Sequence, residues 1–519
     1  MSASRYDCIV IGAGHNGLTC AAYLARAGRS VLVLEAGERA GGAASTREFA
    51  PGFRVSSCAH LLHLLPGWLL KELRLGAHGL RLAAEDMPTI ALSGALALRL
   101  PGRGDAAVMD LGGADARAFP RYAARMSHLA EALRPLLEVV PPRLGSGAWR
   151  DRLALLKLGA RLRLLGRPDM RELLRIAGMC VQDLLDEHFE SPLLKGALAF
   201  DAVLGTNLGP RSPGTVFTLL YRLAAGGVAG SLAQPVGGLG ALTDAIAAAA
   251  TAAGAKIRLG TPVARVLVRE DSAAGVLLES GERLEARCVV SSADPRTTFL
   301  RLLGSEHLDT GFVRRVGHLR TLGMTAKLHL ALERMPRFTA LADTSPAGRL
   351  VLAPSAEAVE RAYNDAKYGQ FSAAPLLEVI VPTAVDSTLA PSGRHVLSAV
   401  VQYAPYKLAG GWEGQRERFL DLILQTLETQ APGLRDSILA AELLTPPDIE
   451  AQFRISGGHW HHAELALDQF FMVRPVAGAA QYHAPLQGLF ICGAGCHPGG
   501  GVMGIAGRNA ARQILARAA

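Results

Sequence analysis

The residues best placed to do chemistry stand near the start of the sequence, in a turn with the GxGxxG spacing of nucleotide-binding proteins. The turn consists of Gly12, Ala13, Gly14, His15, Asn16 and Gly17. Glycines at this spacing allow a tight turn, let a pyrophosphate approach the backbone and let strand and helix pack closely. The acidic Glu35 ends the next apolar run and would bind ribose hydroxyls. The pattern predicts a dinucleotide site, the alternative being a glycine-rich turn without a ligand.

The elements around this turn form a complete β-α-β unit. Residues 6–11 predict an apolar strand, residues 18–27 a buried helix and residues 30–34 a second strand. The helix would present free N–H groups and the positive end of its dipole to the ligand. The turn by itself does not separate FAD from NAD.

Beyond this unit the pattern alternates between α/β segments and other structure. Short strands are predicted between residues 84 and 111, helices over 114–204, α/β structure over 234–300, and further strands near 324–332, 377–381 and 395–402. A helix over 414–429, a strand over 489–492 and a last helix from about Val502 follow. We therefore expect an α/β fold with one nucleotide-binding domain (1–83, 233–300 and 456–519) and an inserted α+β substrate domain (84–232 and 301–455).

Composition excludes several classes of protein. Half of the 519 residues are apolar, but no long uncharged apolar run predicts a membrane span. The seven cysteines are scattered without a CxxC pair, which argues against a zinc site or a redox dithiol. The net charge of +8 has no basic stripe interleaved with aromatics, so no nucleic acid is expected. Residues 1–5 lead directly into a strand, from which we expect no leader and a cytoplasmic location.

Residues 9–53 resemble the phytoene-desaturase-like branch of flavoproteins, which is related to the amine oxidases. The resemblance is carried by the glycine turn and by the residues after the second strand, namely Glu35, Ala36, Gly41, Gly42, Ala43 and Ala44. In that group an acidic strand end followed by a Gly-Gly pair marks an FAD site, and the second loop passes close to the flavin. The resemblance therefore implies the two-dinucleotide-binding, Rossmann-type FAD fold.

Residues 488–504, GLFICGAGCHPGGGVMG, resemble the closing FAD motif of the same family. The match implies contacts from Gly493, Ala494, Gly501, Val502 and Met503, and a helix N-terminus that stabilises the charge formed on flavin reduction. Residues 235–266 resemble the middle FAD segment, in which Val263 would touch the adenine. Residues 499–504 also fit GxGxxG, but no strand with an acidic end follows, so no second nucleotide site is predicted.

Residues 396–406 and 457–475 are most similar to the subgroup called pyridine nucleotide-disulfide oxidoreductase domain-containing protein two. That name implies a dithiol, and the sequence has no CxxC pair to supply one. We therefore expect hydride to reach the flavin directly from an organic substrate.

Four histidines are candidates for moving a proton beside the flavin: His60, His461, His462 and His497. For each of them the alternative is a structural role, and His497 would then simply orient the glycine-rich loop within residues 488–504, which we call the closing loop. His459 joins His461 and His462 in a cluster, but their uneven spacing does not place all three on one strand face, so no metal is predicted.

The resemblance implies an FAD-dependent oxidoreductase that desaturates or oxidises a hydrophobic, isoprenoid or carotenoid-like substrate and passes electrons to oxygen, a quinone or another acceptor. Amine oxidation or ketone formation on the same fold stays open, as does a flavin-binding interaction protein with little turnover. Residues 149–167, WRDRLALLKLGARLRLLGR, allow either a helix packed on its apolar face or a peripheral contact with a membrane.

Overall fold

The computed structural model describes residues 6–100, 111–224, 232–342 and 344–518. The strands are β1 (Tyr6–Ile11), β2 (Val31–Leu34), β3 (Thr46–Ala50), β4 (Phe53–Ser56), β5 (Leu82–Ala84), β6 (Thr89–Ser93), β7 (Leu96–Leu100), β8 (Gln234–Pro235), β9 (Lys256–Arg258), β10 (Val263–Arg269), β11 (Ser272–Leu278), β12 (Arg283–Ser291), β13 (Thr325–Leu332), β14 (Arg349–Leu352), β15 (Leu376–Ile380), β16 (His395–Gln402), β17 (Ile438–Leu444) and β18 (Leu489–Ile491).

The helices are α1 (His15–Arg26), α2 (Gly67–Glu72), α3 (Gly113–Glu138), α4 (Trp149–Leu164), α5 (Arg167–Ala177), α6 (Val181–Asp186), α7 (Pro192–Val203), α8 (Thr215–Leu223), α9 (Gly240–Ala252), α10 (Thr310–Gly317), α11 (Ala356–Lys367), α12 (Arg416–Gln430), α13 (Pro446–Phe453) and α14 (Ile505–Ala518). Residues 1–5, on which the absence of a leader was predicted, and residues 101–110, within the predicted short strands, lie outside the described residues.

The first sheet is the Rossmann-type core. Strands β18, β12, β1, β2 and β9 run parallel in that order, and β10 and β11 extend it as an antiparallel hairpin beside the first half of β12. Ile9 and Val10 on β1 are fully buried, as expected for a parallel strand covered on both faces. Its strands come from residues 6–34, 256–291 and 489–491, so three distant parts of the chain build one sheet.

Helix α1 packs on β1 and β2 of this sheet and α14 packs on β18, and α1 contacts both α9 and α14. The strand-to-helix turn is tight enough that a Cβ added to Gly17 would lie 2.1 Å from the carbonyl oxygen of Gly12. The crossing of α1 and α14 is equally close, since a Cβ on Gly507 would lie 2.1 Å from the carbonyl oxygen of Asn16. Both glycines are therefore required by packing.

The second sheet has the order β17-β13-β16-β15-β14-β6-β7, with only the β14 and β6 pair parallel. Helices α3, α5, α6, α7, α8 and α11 share an apolar cluster with it. The predicted fold class, a Rossmann-type FAD-binding α/β domain with a substrate domain, is confirmed. No helix in the described ranges is long and apolar enough to span a bilayer.

Individual elements differ from the sequence prediction mainly at glycines and at short strands. Helix α1 begins at His15, three residues before the predicted start, because Gly14 is the N-cap and the last three residues of the glycine turn are already helical. The β3–β4 hairpin, β14, β17 and α11 were not predicted, because their apolar runs are short and interrupted by charged residues.

Candidate active site

A cavity of about 820 Å³ begins at the N-terminus of α1. Gly12 adopts a φ of +92°, a conformation that side-chain-bearing residues rarely take, and so turns the chain from β1 into α1. Gly12, Gly14, His15 and Asn16 line this part of the cavity. The Leu18 N–H donates to the Gly14 carbonyl at 3.0 Å, whereas the N–H groups of His15, Asn16 and Gly17 precede the first intrahelical bond and can hold an anionic group.

Glu35 lies at the C-terminal end of β2 and also lines the cavity. One carboxylate oxygen accepts a hydrogen bond from the Ala13 N–H at 2.6 Å, and the other accepts one from the Gly37 N–H at 2.9 Å. These bonds fix the carboxylate beside the glycine turn. Each oxygen retains a lone pair, so a ribose hydroxyl can still donate to it.

Two further loops complete the cofactor part of the cavity. In the first, Gly41 has a φ of +117°, and its backbone N–H donates to the Ala13 carbonyl at 2.9 Å, which brings residues 41–44 against the glycine turn. In the second, Gly501 and Val502 precede α14 and line the same space. The two ends of the sequence therefore form one continuous surface.

The residues present fit a dinucleotide. A Cβ added to Gly14 would meet no protein atom closer than 4.0 Å, although Gly14 lines the cavity, so this glycine leaves space for a ligand and not for a neighbouring side chain. Two buried polar atoms in the same wall, His15 Nε2 and Asn16 Oδ1, have no hydrogen-bond partner in the protein. A polar ligand at the start of α1 would satisfy them.

Arg474 organises the loop that carries the histidines. Its guanidinium is fully buried and donates hydrogen bonds of 2.9–3.3 Å to six backbone carbonyls, those of His461, Ala463, Glu464, Gln469, Ala494 and Cys496. Burial lowers the pKa of Arg474 to about 10, which still leaves it charged at neutral pH. One cation thus ties the His459–His462 segment to the closing loop and sets the position of His461 and His462 in the cavity wall.

A buried ionic cluster lies on the substrate side of the cavity, where α7, α8 and the second sheet provide the lining. Arg349 is 1% exposed; it donates to Glu378 at 2.6 Å and also pairs with Asp201. Arg222 approaches Asp201 at 3.4 Å and Glu378 at 3.9 Å. Burial alone would raise the pKa of Glu378, but Arg349 and a hydrogen bond from His60 hold it well below its usual range. The two carboxylates are thus balanced by two guanidinium groups.

His60 connects this cluster to a buried lysine. Its Nε2 lies 2.8 Å from Glu378 and its Nδ1 lies 2.6 Å from Lys327 Nζ. Burial and the nearby Lys327 charge lower the pKa of His60 to about 4, so the ring is neutral and donates from Nε2 while Nδ1 accepts. Both ring nitrogens are occupied, so His60 joins Lys327 to Glu378 and has no nitrogen free for a substrate proton.

The four predicted histidines do not all reach the cavity. His60, His461 and His462 line it, and Nδ1 of each of the last two has no hydrogen-bond partner in the protein. His497 is buried outside the lining, where its Nε2 donates to the Leu136 carbonyl at 2.7 Å and its ring packs between Phe470 and Phe471. The structure therefore gives His497 a position that supports the closing loop.

The cofactor residues proposed from the sequence mostly line the cavity. Those that do are Gly12, Gly14, His15, Asn16, Glu35, Ala36, Gly41, Gly42, Ala43, Ala44, Val263, Ala494, Gly501 and Val502. Ala13, Gly17, Gly493 and Met503 are not among the lining residues; Gly493 packs against Ser292 and Met503 is buried in the helical cluster. These four support the loops that bear the others.

Residues that sequence reasoning missed are the charged groups of the substrate side, namely His63, Asp201, Arg222, Lys327, Arg349 and Glu378. Their signal was a lone charge inside an apolar run, as in the sequence LLEVI of β15 and TAKLHLAL of β13. A charge in such a run is buried and must have a partner.

A search of family models matches residues 17–515 to flavin-containing amine oxidoreductases. The chain is 39% identical to pyridine nucleotide-disulfide oxidoreductase domain-containing protein 2 of Mus musculus, over 98% of this chain and 93% of that protein. It is 28% identical to one of the subunits of limonene dehydrogenase from Castellaniella defragrans, over 98% of this chain and 94% of that subunit. A solved structure of putrescine oxidase, a triple mutant with redesigned cofactor binding, superposes with a TM-score of 0.65 at 17% identity, over 99% of both chains, and shows a shared fold.

Proposed function

We propose, from the premise that this chain belongs to the flavin-containing amine oxidoreductase family and binds FAD, that it oxidises a hydrophobic substrate of isoprenoid type. The observation that carries the proposal is the continuous cavity that joins the glycine turn (residues 12–17) at the start of α1 to a compartment built by α7, α8 and the second sheet. The cofactor, when bound, supplies the hydride acceptor. Limonene, which the name of the Castellaniella defragrans relative includes, is an apolar isoprenoid, and this supports the substrate class.

Charge balance on the substrate side argues against an ammonium substrate. Asp201 and Glu378 are the carboxylates that line this compartment, and Arg349 and Arg222 already pair with both. An entering ammonium would find no unpaired negative charge among the described residues of this compartment. A neutral substrate therefore fits better than a charged amine, and apolar side chains such as Leu64, Leu204 and Leu465 provide the remaining contacts.

The function is tested by anaerobic titration of the FAD-loaded protein with terpenoid hydrocarbons and alcohols, aliphatic amines and NADPH, with the flavin absorbance as the signal. We expect bleaching by a terpenoid and not by the other two classes. Bleaching by amines alone would replace the proposal with amine oxidation. Prompt bleaching by NADPH would indicate a reductase, and no bleaching by any class would favour a flavin-binding protein with little turnover. Reoxidation by air or by a soluble quinone then identifies the class of electron acceptor.

The pH dependence of substrate oxidation should follow Lys327. Burial lowers the pKa of Lys327 to about 7, whereas burial lowers the pKa of cavity-lining His15 and His60 to about 4 and of His63 to about 3. Lys327 does not line the cavity and lies behind His60, so it acts on the site through its charge. Loss of that charge removes a cation that opposes the positive charge left on the substrate as hydride departs, so the rate of flavin reduction should rise as the pH increases through about 7. Stopped-flow reduction across this range provides the measurement.

The control for this prediction is Lys327→Met, which keeps the length of the side chain and removes the titrating group. We expect the inflection near neutral pH to disappear in this variant while FAD content stays unchanged. An inflection that remains in the same place would assign it to another group and would exclude the charge of Lys327 as its source.

A further inference from the structure

Helix α4 has an unusual exposure for its composition. It contains one tryptophan and six leucines, yet none of its residues is buried. Trp149 is 67% exposed, Leu156 70% and Leu164 84%. Large apolar side chains that face water along a whole helix are uncommon on a protein surface, and they indicate that the helix has a second contact partner.

The apolar residues of α4 fall on two opposite faces. Leu155, Leu158 and Leu162 are half-buried on the face toward the protein, and Leu162 packs against the apolar cluster of α3, α5 and α8. Trp149, Leu153, Leu156 and Leu164 lie on the other face, within an arc of about 80° at 3.6 residues per turn. We call these four residues the outward stripe. The inner face already anchors α4 to the protein, so the outward stripe needs a different explanation.

Basic residues flank the outward stripe on both sides. Arg150, Lys157 and Arg161 lie along one edge and Arg152 and Arg163 along the other. None of the five forms an ion pair with any residue in the described ranges. Asp151, the one acidic residue of α4, points to the protein side, where it accepts a hydrogen bond from Gln481 at 3.1 Å. The outer surface of α4 is therefore apolar along its centre and positively charged along both edges.

We propose that the outward stripe inserts among the acyl chains at the surface of an anionic lipid bilayer, with α4 parallel to the membrane plane. Such a surface accepts an apolar stripe and pairs the flanking cations with lipid phosphates and carboxylates at the same time. An apolar groove of another protein, or a second copy of this chain, would bury the stripe but leave five like charges beside it. The charge pattern thus favours anionic lipid as the occupant.

This placement goes beyond the proposed function and does not depend on it. The half-buried face of α4 packs with α5, and α5 contacts α8, which lines the cavity through Thr218, Tyr221 and Arg222. If the substrate is an apolar isoprenoid, the membrane is where it accumulates, and α4 holds the substrate side of the protein close to that supply.

Co-sedimentation with vesicles tests the proposal. The FAD-loaded protein is mixed with vesicles of phosphatidylcholine alone or with added phosphatidylserine, at low and high salt. We expect binding only with phosphatidylserine, weakened by salt, and a partition coefficient at least roughly tenfold lower for the double variant Leu156→Glu and Arg161→Glu. The matched control carries the same substitutions at exposed positions elsewhere, Leu96→Glu and Arg269→Glu, and should bind as the parent does.

Three results would overturn the proposal: no preference of the parent protein for anionic vesicles, unchanged binding of the α4 double variant, or equal loss in the control. Flavin absorbance and melting temperature report whether each variant is folded, since no residue of α4 lines the cavity. Sedimentation velocity without lipid examines the competing occupant. A parent dimer that the α4 variant converts to a monomer, without vesicle binding by either, would assign the outward stripe to a second copy of the chain.

Discussion

Replacing Gly14 by leucine should yield a folded protein that retains no FAD. Gly14 has an ordinary extended backbone, and a Cβ at this position would meet no protein atom closer than 4.0 Å. The new side chain would instead occupy the cavity at the start of α1, where the backbone N–H groups must meet the pyrophosphate. Absorbance of the purified protein and of its acid supernatant measures the loss, and circular dichroism measures the fold.

Two other glycines make the result interpretable. Gly76 has no atom within 4 Å of an added Cβ and lies outside the cavity, so Gly76→Leu should keep full FAD content. Gly17→Ala should instead prevent folding, because its Cβ would lie 2.1 Å from the Gly12 carbonyl oxygen. A Gly14→Leu protein that is saturated with FAD would show that Gly14 does not leave the space for the pyrophosphate, whatever the other two variants do.

The second large effect is expected on stability. Arg349→Met should lower the free energy of unfolding by about 3–5 kcal/mol, because it leaves the buried Asp201 and Glu378 carboxylates without their main cation. The midpoint of urea unfolding provides the measurement. The matched control is Arg258→Met in the pair with Glu282, whose side chains are 41% and 44% exposed, and it should cost less than about 1 kcal/mol.

The effect of Arg349→Met should also depend on pH in a defined direction. In the parent protein the pKa of Glu378 is held below its unfolded value, so this group contributes stability that is complete above the unfolded pKa and is lost as the pH falls. In the variant Glu378 has lost its main cation, so burial raises the pKa of this carboxyl group, which then protonates and recovers stability on acidification. The difference in free energy of unfolding between the parent and Arg349→Met should therefore become smaller as the pH falls toward about 4.3, the ordinary pKa of a glutamate. If this difference instead becomes larger on acidification, Arg349 does not stabilise the ionised carboxylates of the buried ionic cluster.

The cofactor half of the site was predictable from sequence because its geometry is local. The glycine turn, Glu35 and the loop at residues 41–44 lie within one short stretch, and each glycine serves a backbone conformation or a close approach. The family and subgroup assigned by resemblance are confirmed. The positions of the separate segments 263 and 494–502 came from resemblance, since no local pattern states that distant segments meet.

The substrate half could not be predicted in the same way. Arg349 meets Asp201 from 148 residues away and Lys327 meets His60 from 267 residues away. Such pairs depend on how the second sheet packs against α7 and on where the segment after β4 enters the cavity, and no periodicity encodes either. A lone charged residue within an apolar strand indicates that the buried charge has a partner, but it does not identify that partner.

The order of strands in the first sheet has a consequence for biosynthesis. β1 pairs on one side with β2, which is translated soon afterwards, and on the other side with β12, which is translated much later. The cofactor cavity is lined by Gly12 on one wall and by Val502 on another. At about 5–20 residues per second, roughly half a minute or more passes between translation of these two walls. The nascent chain therefore has an unpaired edge of β1 until β12 has been translated, and its nucleotide site lacks one wall until residue 502 has been translated. FAD can therefore contact the complete site only after residue 502 has been translated.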